Sequence, residues 1–171
     1  MEENKERVFP LNFSDFRASI TAITIPDGIT AIGSSAFSDC VSLKEITIPP
    51  TVTSIGEFAF YNCKSLQTIN IPEGVTTIGY QAFEWCESLK SIYLPCSLLS
   101  IDQRAFSDCY ALEDINYNGT IAQWNAIEKV EDWDFYSSKP IVYCTDGEIL
   151  DDWLFSNFFD PKLKYPQYED D

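Results

Sequence analysis

The property that most restricts this chain is a period. "IGSSAFSDCVSL", "IGEFAFYNCKSL", "IGYQAFEWCESL" and "IDQRAFSDCYAL" follow one another every 23 residues, beginning at Ile32, Ile55, Ile78 and Ile101. Full units start at Ile20, Leu43, Leu66 and Leu89, and a fifth opens at Leu112 with "LEDINYNG" before departing from the pattern. A unit this short cannot bury an apolar face alone. Successive units must stack, which predicts a solenoid whose coils contact only their neighbours.

Each unit divides into three pieces. "LKEITIP" alternates apolar with polar side chains and is rich in β-branched residues, so it reads as a strand with Ile46 and Ile48 inward. Five such strands, about 4.8 Å apart, predict a parallel sheet about 20 Å across. Proline at 26, 49, 72 and 95 ends each strand, because it cannot donate a ladder hydrogen bond. "VTSIG" is a second extended piece with Val52 and Ile55 inward. The glycine that follows (Gly33, Gly56, Gly79, with Asp102 in the fourth unit) is expected at a turn with positive φ. In "EFAFYNC", Ala59, Phe60 and Cys63 have the spacing of one face of a helical turn. Phe37, Phe60, Phe83 and Phe106 predict an aromatic column behind the sheet, with Cys40, Cys63, Cys86 and Cys109 beside it as buried free thiols. Cys96 and Cys144 lie off the repeat.

The pattern L-x-x-I-x-I-P-x-x-V-T-x-I-G-x-x-A-F-x-x-C-x-S resembles the BspA-like, treponemal-type family of leucine-rich repeats, over residues 20 to about 118. The resemblance implies a leucine-rich-repeat solenoid, with a parallel β-sheet on one side and short strands and single helical turns on the other. Both ends are expected to be capped. The expected organisation is an N-terminal capping segment over 1–19, repeats over 20–118, a C-terminal cap over 119–150 and an acidic-aromatic tail over 151–171. Within the cap, "IAQWNAI" reads as a short amphipathic helix and "PIVYC" as a terminal strand. The family implies bacterial cell-surface or secreted proteins that mediate adhesion and protein binding.

Charge and composition exclude several functions. Against 11 basic residues stand 27 acidic ones, a net charge of −16. Such a field repels phosphate and anionic lipid, so neither direct nucleic-acid binding nor membrane binding is expected, and a partner with a basic surface is favoured. "MEENKERVFPLNF" has no apolar core of signal-peptide length. The chain as written is therefore expected in the cytoplasm, and at the cell surface or secreted if it is a fragment of a longer family member. With no histidine in the chain, the commonest general base and the Ser-His and Cys-His dyads are lost. Neither a C-x-x-C spacing nor a phosphate-cradling glycine loop occurs. No enzyme, metal or cofactor is expected. The pairs Glu113–Asp114 and Asp151–Asp152 read as products of an acidic surface.

What remains is binding, and three regions compete for it. On the strands the outward columns are Ala22, Glu45, Thr68, Ser91, Asp114 and Thr24, Thr47, Asn70, Tyr93, Asn116, a polar face with Glu45 and Asp114 as its acids and Tyr93 as its large anchor. On the turn side, Phe58, Tyr61, Tyr80 and Trp85 occur where the repeat does not demand aromatics, either as an interface or, for some of them, packed sideways on neighbouring coils or on the N-terminal segment. In the tail, Trp153 and Phe158 belong to a helix docked on the solenoid, a linear motif that folds on a partner, or a self-association element. The expected function is a non-enzymatic protein–protein interaction module. The alternative is an acidic inhibitor that imitates nucleic acid and blocks a nuclease or other nucleic-acid-binding protein; that binding would weaken steeply with salt and compete with DNA.

Overall fold

A computed structural model of the chain describes residues 8–9, 16–130, 132–134 and 136–150. In chain order the strands are β1 (Val8–Phe9), β2 (Ala22–Thr24), β3 (Ala31–Ile32), β4 (Glu45–Thr47), β5 (Ser54–Ile55), β6 (Thr68–Asn70), β7 (Thr77–Ile78), β8 (Ser91–Leu94), β9 (Ser100–Ile101) and β10 (Asp114–Tyr117). Helix α1 (Ile121–Ala126) follows, then β11 (Glu128–Lys129), β12 (Ile141–Cys144) and β13 (Gly147–Ile149). Arg17–Ser19 form a 3-10 turn.

The described residues form a parallel β-solenoid in which each 23-residue repeat contributes one strand to each of two faces. The second extended pieces join in one sheet, β1-β3-β5-β7-β9-β11, paired Ala31↔Ser54, Ser54↔Thr77 and Thr77↔Ser100, one repeat apart. The "LKEITIP" pieces form the other face. Their ladder is not continuous: β2 pairs with β4, while β6, β8, β10 and β12 form a separate parallel run closed by antiparallel β13. This corrects the expectation of one unbroken five-stranded sheet. Ile46 is only half-buried, whereas Ile69, Ile92 and Ile115 are buried, so β4 sits less deeply than the strands after the gap.

Past the repeat the coil widens. Asp114 pairs with Ile141 and Ser100 with Glu128, steps of 27 and 28 residues rather than 23. The added length accommodates α1. That helix starts in a capping box: the Thr120 hydroxyl accepts from the Gln123 amide at 3.2 Å, and the Gln123 side chain accepts from the Thr120 amide at 2.8 Å. Its Trp124 is buried against the last coil.

The predicted column of phenylalanines forms. Phe37–Phe60, Phe60–Phe83 and Phe83–Phe106 stack with centroids 5.3, 5.0 and 5.3 Å apart. The cysteines beside them are free and buried. They also act as donors: the thiols of Cys63, Cys86 and Cys109 reach the carbonyl oxygens of Phe37, Phe60 and Phe83 in the preceding coil, at 3.2, 3.2 and 3.1 Å. A small apolar body with one weak donor fits that slot.

The turn side consists of overlapping turns whose amides alternate between two acceptors. Ala36, Ser38 and Cys40 donate three residues back within their own coil, and Ser35, Phe37 and Asp39 donate to Glu57, Ala59 and Tyr61 of the next. The alternation requires two residues per coil at positive φ: Ser35 and Asp39, Phe58 and Asn62, Gln81 and Trp85, Arg104 and Asp108. The repeated glycine is not among them, contrary to expectation. Its role is close approach, since a Cβ on Gly56 would lie 2.8 Å from the Ser34 amide nitrogen, and one on Gly79 2.8 Å from that of Glu57.

Candidate binding surfaces

On the strand face the register brings together residues that are far apart in sequence. Asn70, Tyr93, Asn116 and Tyr143 face one another across β6, β8, β10 and β12 in a single row, because Tyr93 pairs with Asn70 on one side and Asn116 on the other, and Asn116 pairs with Tyr143. The two rings are 48% and 38% exposed. Beyond the row lies a groove of about 520 Å³ whose wall includes Glu73, Asn118 and Cys144 and contains no lysine or arginine. Glu73 is held in place at its rim: the Asn118 amide donates to one carboxylate oxygen at 2.6 Å and the Cys96 thiol reaches the other at 3.6 Å. Beneath, Gly119 allows the Tyr117 ring to lie flat against the backbone, where a Cβ would meet that ring at 2.5 Å. Burial, with Cys96, Cys144 and Glu73 near it, pushes the Tyr117 phenol up, so it stays neutral.

Of the strand-face residues singled out from sequence, Asn70, Tyr93 and Asn116 line this groove. Glu45 lies on β4, across the interruption in the ladder, and Asp114 occupies the neighbouring column beside Ser91. Tyr143 was missed because it falls 27 residues after Asn116, outside the period. The signal was present in "PIVYC", whose strand register sets Tyr143 in the row.

The four aromatics of the turn side divide. Phe58 meets Tyr80 edge-on at 5.3 Å and Tyr61 at 5.8 Å, and all three are half-buried, so they pack on one another across two coils. Trp85 stands differently. It is 37% exposed, with the Lys64 ammonium 5.7 Å over its ring and held there by Glu87 at 2.7 Å. Its φ is 63°, at a position where the other coils carry Asp39, Asn62 and Asp108, residue types that tolerate that backbone conformation. Next to it in the chain, Glu84 is buried (4% exposed), and one of its carboxylate oxygens has no hydrogen-bond partner. Burial raises its pKa; Arg104 opposes that shift and Asp108 adds to it. Asp108 accepts from the Tyr110 hydroxyl at 2.6 Å, an interaction that pushes the phenol up to about 12.

Trp153 and Phe158 lie outside the described residues. Among the described residues, no group of three or more His, Cys, Asp or Glu side chains is arranged to hold a metal ion, and no helix is long and apolar enough to cross a membrane.

Comparison with known proteins agrees with this architecture. A search of curated proteins gives no match. Among solved structures, a leucine rich cell surface protein from Faecalibacterium prausnitzii A2-165 is 35% identical with a TM-score of 0.57, over 64% of this chain and 35% of its own. The T. pallidum leucine rich repeat protein is 26% identical with a TM-score of 0.57, over 74% of this chain and 61% of its own. The chain thus spans less than two thirds of the length of either relative. The family model for the BspA type leucine rich repeat region matches residues 12–141 in six copies. The chain belongs to the BspA type leucine rich repeat family.

Proposed function

We propose that the protein is a non-enzymatic binding module that engages another protein through the turn face of its repeats, with Trp85 as the anchor. The observation that carries this reading is the conformation of Trp85. A bulky residue in the left-handed region costs about 1–2 kcal/mol. Asp39, Asn62 and Asp108 occupy the same position with types suited to it. The ammonium of Lys64 over the ring offsets part of that cost, about 0.5–1 kcal/mol at an exposed site. A partly exposed indole placed where the backbone disfavours it is the kind of side chain that supplies affinity in protein interfaces. The half-buried cluster of Phe58, Tyr61 and Tyr80 gives the face a firm apolar floor.

The net charge of −16 selects a partner with a basic surface by steering its approach, and Glu45 and Asp114 add to that field on the strand face. A role in adhesion or host contact at the cell surface is supported by the F. prausnitzii relative, a cell surface protein. The test is affinity capture with immobilised wild type and Trp85→Asn from one extract, with added DNA as competitor. A protein retained by wild type, lost from the variant and unmoved by DNA is the expected result. Equal retention by both forms sinks the reading, and displacement by DNA points to imitation of nucleic acid.

A further inference from the structure

The groove at the end of the strand face has a different chemistry from the turn face. We infer that it is a binding site for a neutral oligosaccharide. Two partly exposed tyrosine rings, Tyr93 and Tyr143, alternate with the side-chain amides of Asn70 and Asn116 along one row. The rings are flat platforms for the C–H faces of sugar rings. A sugar hydroxyl both donates and accepts, and an asparagine amide answers both needs. Glu73 adds a carboxylate acceptor, fixed by Asn118 at 2.6 Å, so the groove does not have to order it on binding.

The other ligand classes fit less well. No lysine or arginine lines the groove, and its one charged member is Glu73, so phosphorylated, sulfated or uronic sugars meet repulsion without compensation. An extended peptide gains affinity by adding along a strand edge, where its backbone can pair. This row runs across the strands, and its middle strands β8 and β10 are already paired on both sides. Its rungs recur about every 4.8 Å, against about 3.4 Å for one residue of extended peptide; that step is close to the length of one pyranose unit. The volume of about 520 Å³ suits a few sugar rings.

The test uses the full chain in calorimetric titrations with hexasaccharides of xylose, glucose, mannose and N-acetylglucosamine, and with a heparin-derived hexasaccharide, alongside an array of immobilised neutral and anionic glycans. Binding of at least one neutral glycan is expected, unchanged by a severalfold rise in sodium chloride. Tyr93→Ala, an exposed substitution that the fold tolerates, weakens it roughly tenfold, the loss of one stacking ring, and Tyr93→Phe retains it. Three outcomes overturn the assignment: no neutral glycan bound on the array or in solution, preference for the heparin fragment, or sugar binding unaffected by Tyr93→Ala. Loss of a captured protein partner in Tyr93→Ala, without any sugar bound, reassigns the groove to protein recognition.

Discussion

The indole of Trp133 stands edge-on to the ring of Phe106, at 88° with centroids 6.0 Å apart, whereas the phenylalanines beneath it lie within 17° of parallel to their neighbours. Trp124 backs it at 6.1 Å, and the Phe106 amide donates to the Trp133 carbonyl at 2.8 Å. The stack therefore ends in a perpendicular ring rather than against water. Trp133→Ala is expected to lower stability by about 3 kcal/mol. Because coils stabilise one another only through shared interfaces, the loss should fall mainly on the last coils. Hydrogen exchange checks this: the amides of Ala105 and Phe106 speed up more than that of Phe60, and a uniform rise would contradict it.

Trp85→Asn should make the protein more stable. Relief of the left-handed backbone is worth about 1–2 kcal/mol, and the lost contact with Lys64 about 0.5–1 kcal/mol, a net gain of at most about 1.5 kcal/mol. Trp85→Ala keeps the conformational cost and loses the contact, so it should be less stable than wild type. Chemical denaturation of the three proteins gives the order; Trp85→Asn falling below wild type would show that the indole is held for packing.

Glu84 makes stability depend on pH. Its raised folded pKa means the folded chain binds the proton more tightly than the unfolded chain, whose value is about 4.3. Stability is thus greatest below that value and falls as pH rises through the raised pKa. Glu84→Gln removes this loss. It should stabilise the protein at neutral pH and make no difference below about pH 4. Thermal melts across that range decide it, and a variant less stable at neutral pH would mean that the ionised carboxylate has a partner it needs.

The six cysteines should react in a definite order. Burial pushes the thiols of Cys63, Cys86 and Cys109 far up, so they remain protonated and unreactive. Cys96 is exposed and Cys144 half-exposed. Timed labelling with an alkylating reagent at mildly alkaline pH, read by mass spectrometry, should modify Cys96 first, Cys144 next and the column only on unfolding. Early modification of Cys86 would show that the coils open locally.

The period carried most of the fold. Ile48 inward, the column of Phe37 to Phe106 and the buried thiols all follow from one unit repeated in register, since stacking forces equivalent side chains into line. Features depending on how one coil meets the next were not legible. Gly56 looks like a turn residue until the neighbouring coil is in place and its missing Cβ proves to leave room for backbone. The groove needed Tyr143, which a step of 27 residues hid from any alignment at 23. Glu84 was hidden in another way: the position holds Ser38, Tyr61 and Ser107 in other coils, so nothing about its type announced a buried carboxylate.

The interrupted ladder also has a mechanical meaning. Between β4 and β6 the coils are joined by the pairing of Ser54 with Thr77 and by the turn amides of Phe58, Phe60 and Asn62, but not by a ladder on the strand face. A pull along the solenoid axis meets fewer hydrogen bonds there than at the β6–β8 or β8–β10 junction. Tension parts the array at that seam first, peeling the leading coils away as a unit while the row from Asn70 to Tyr143 stays whole.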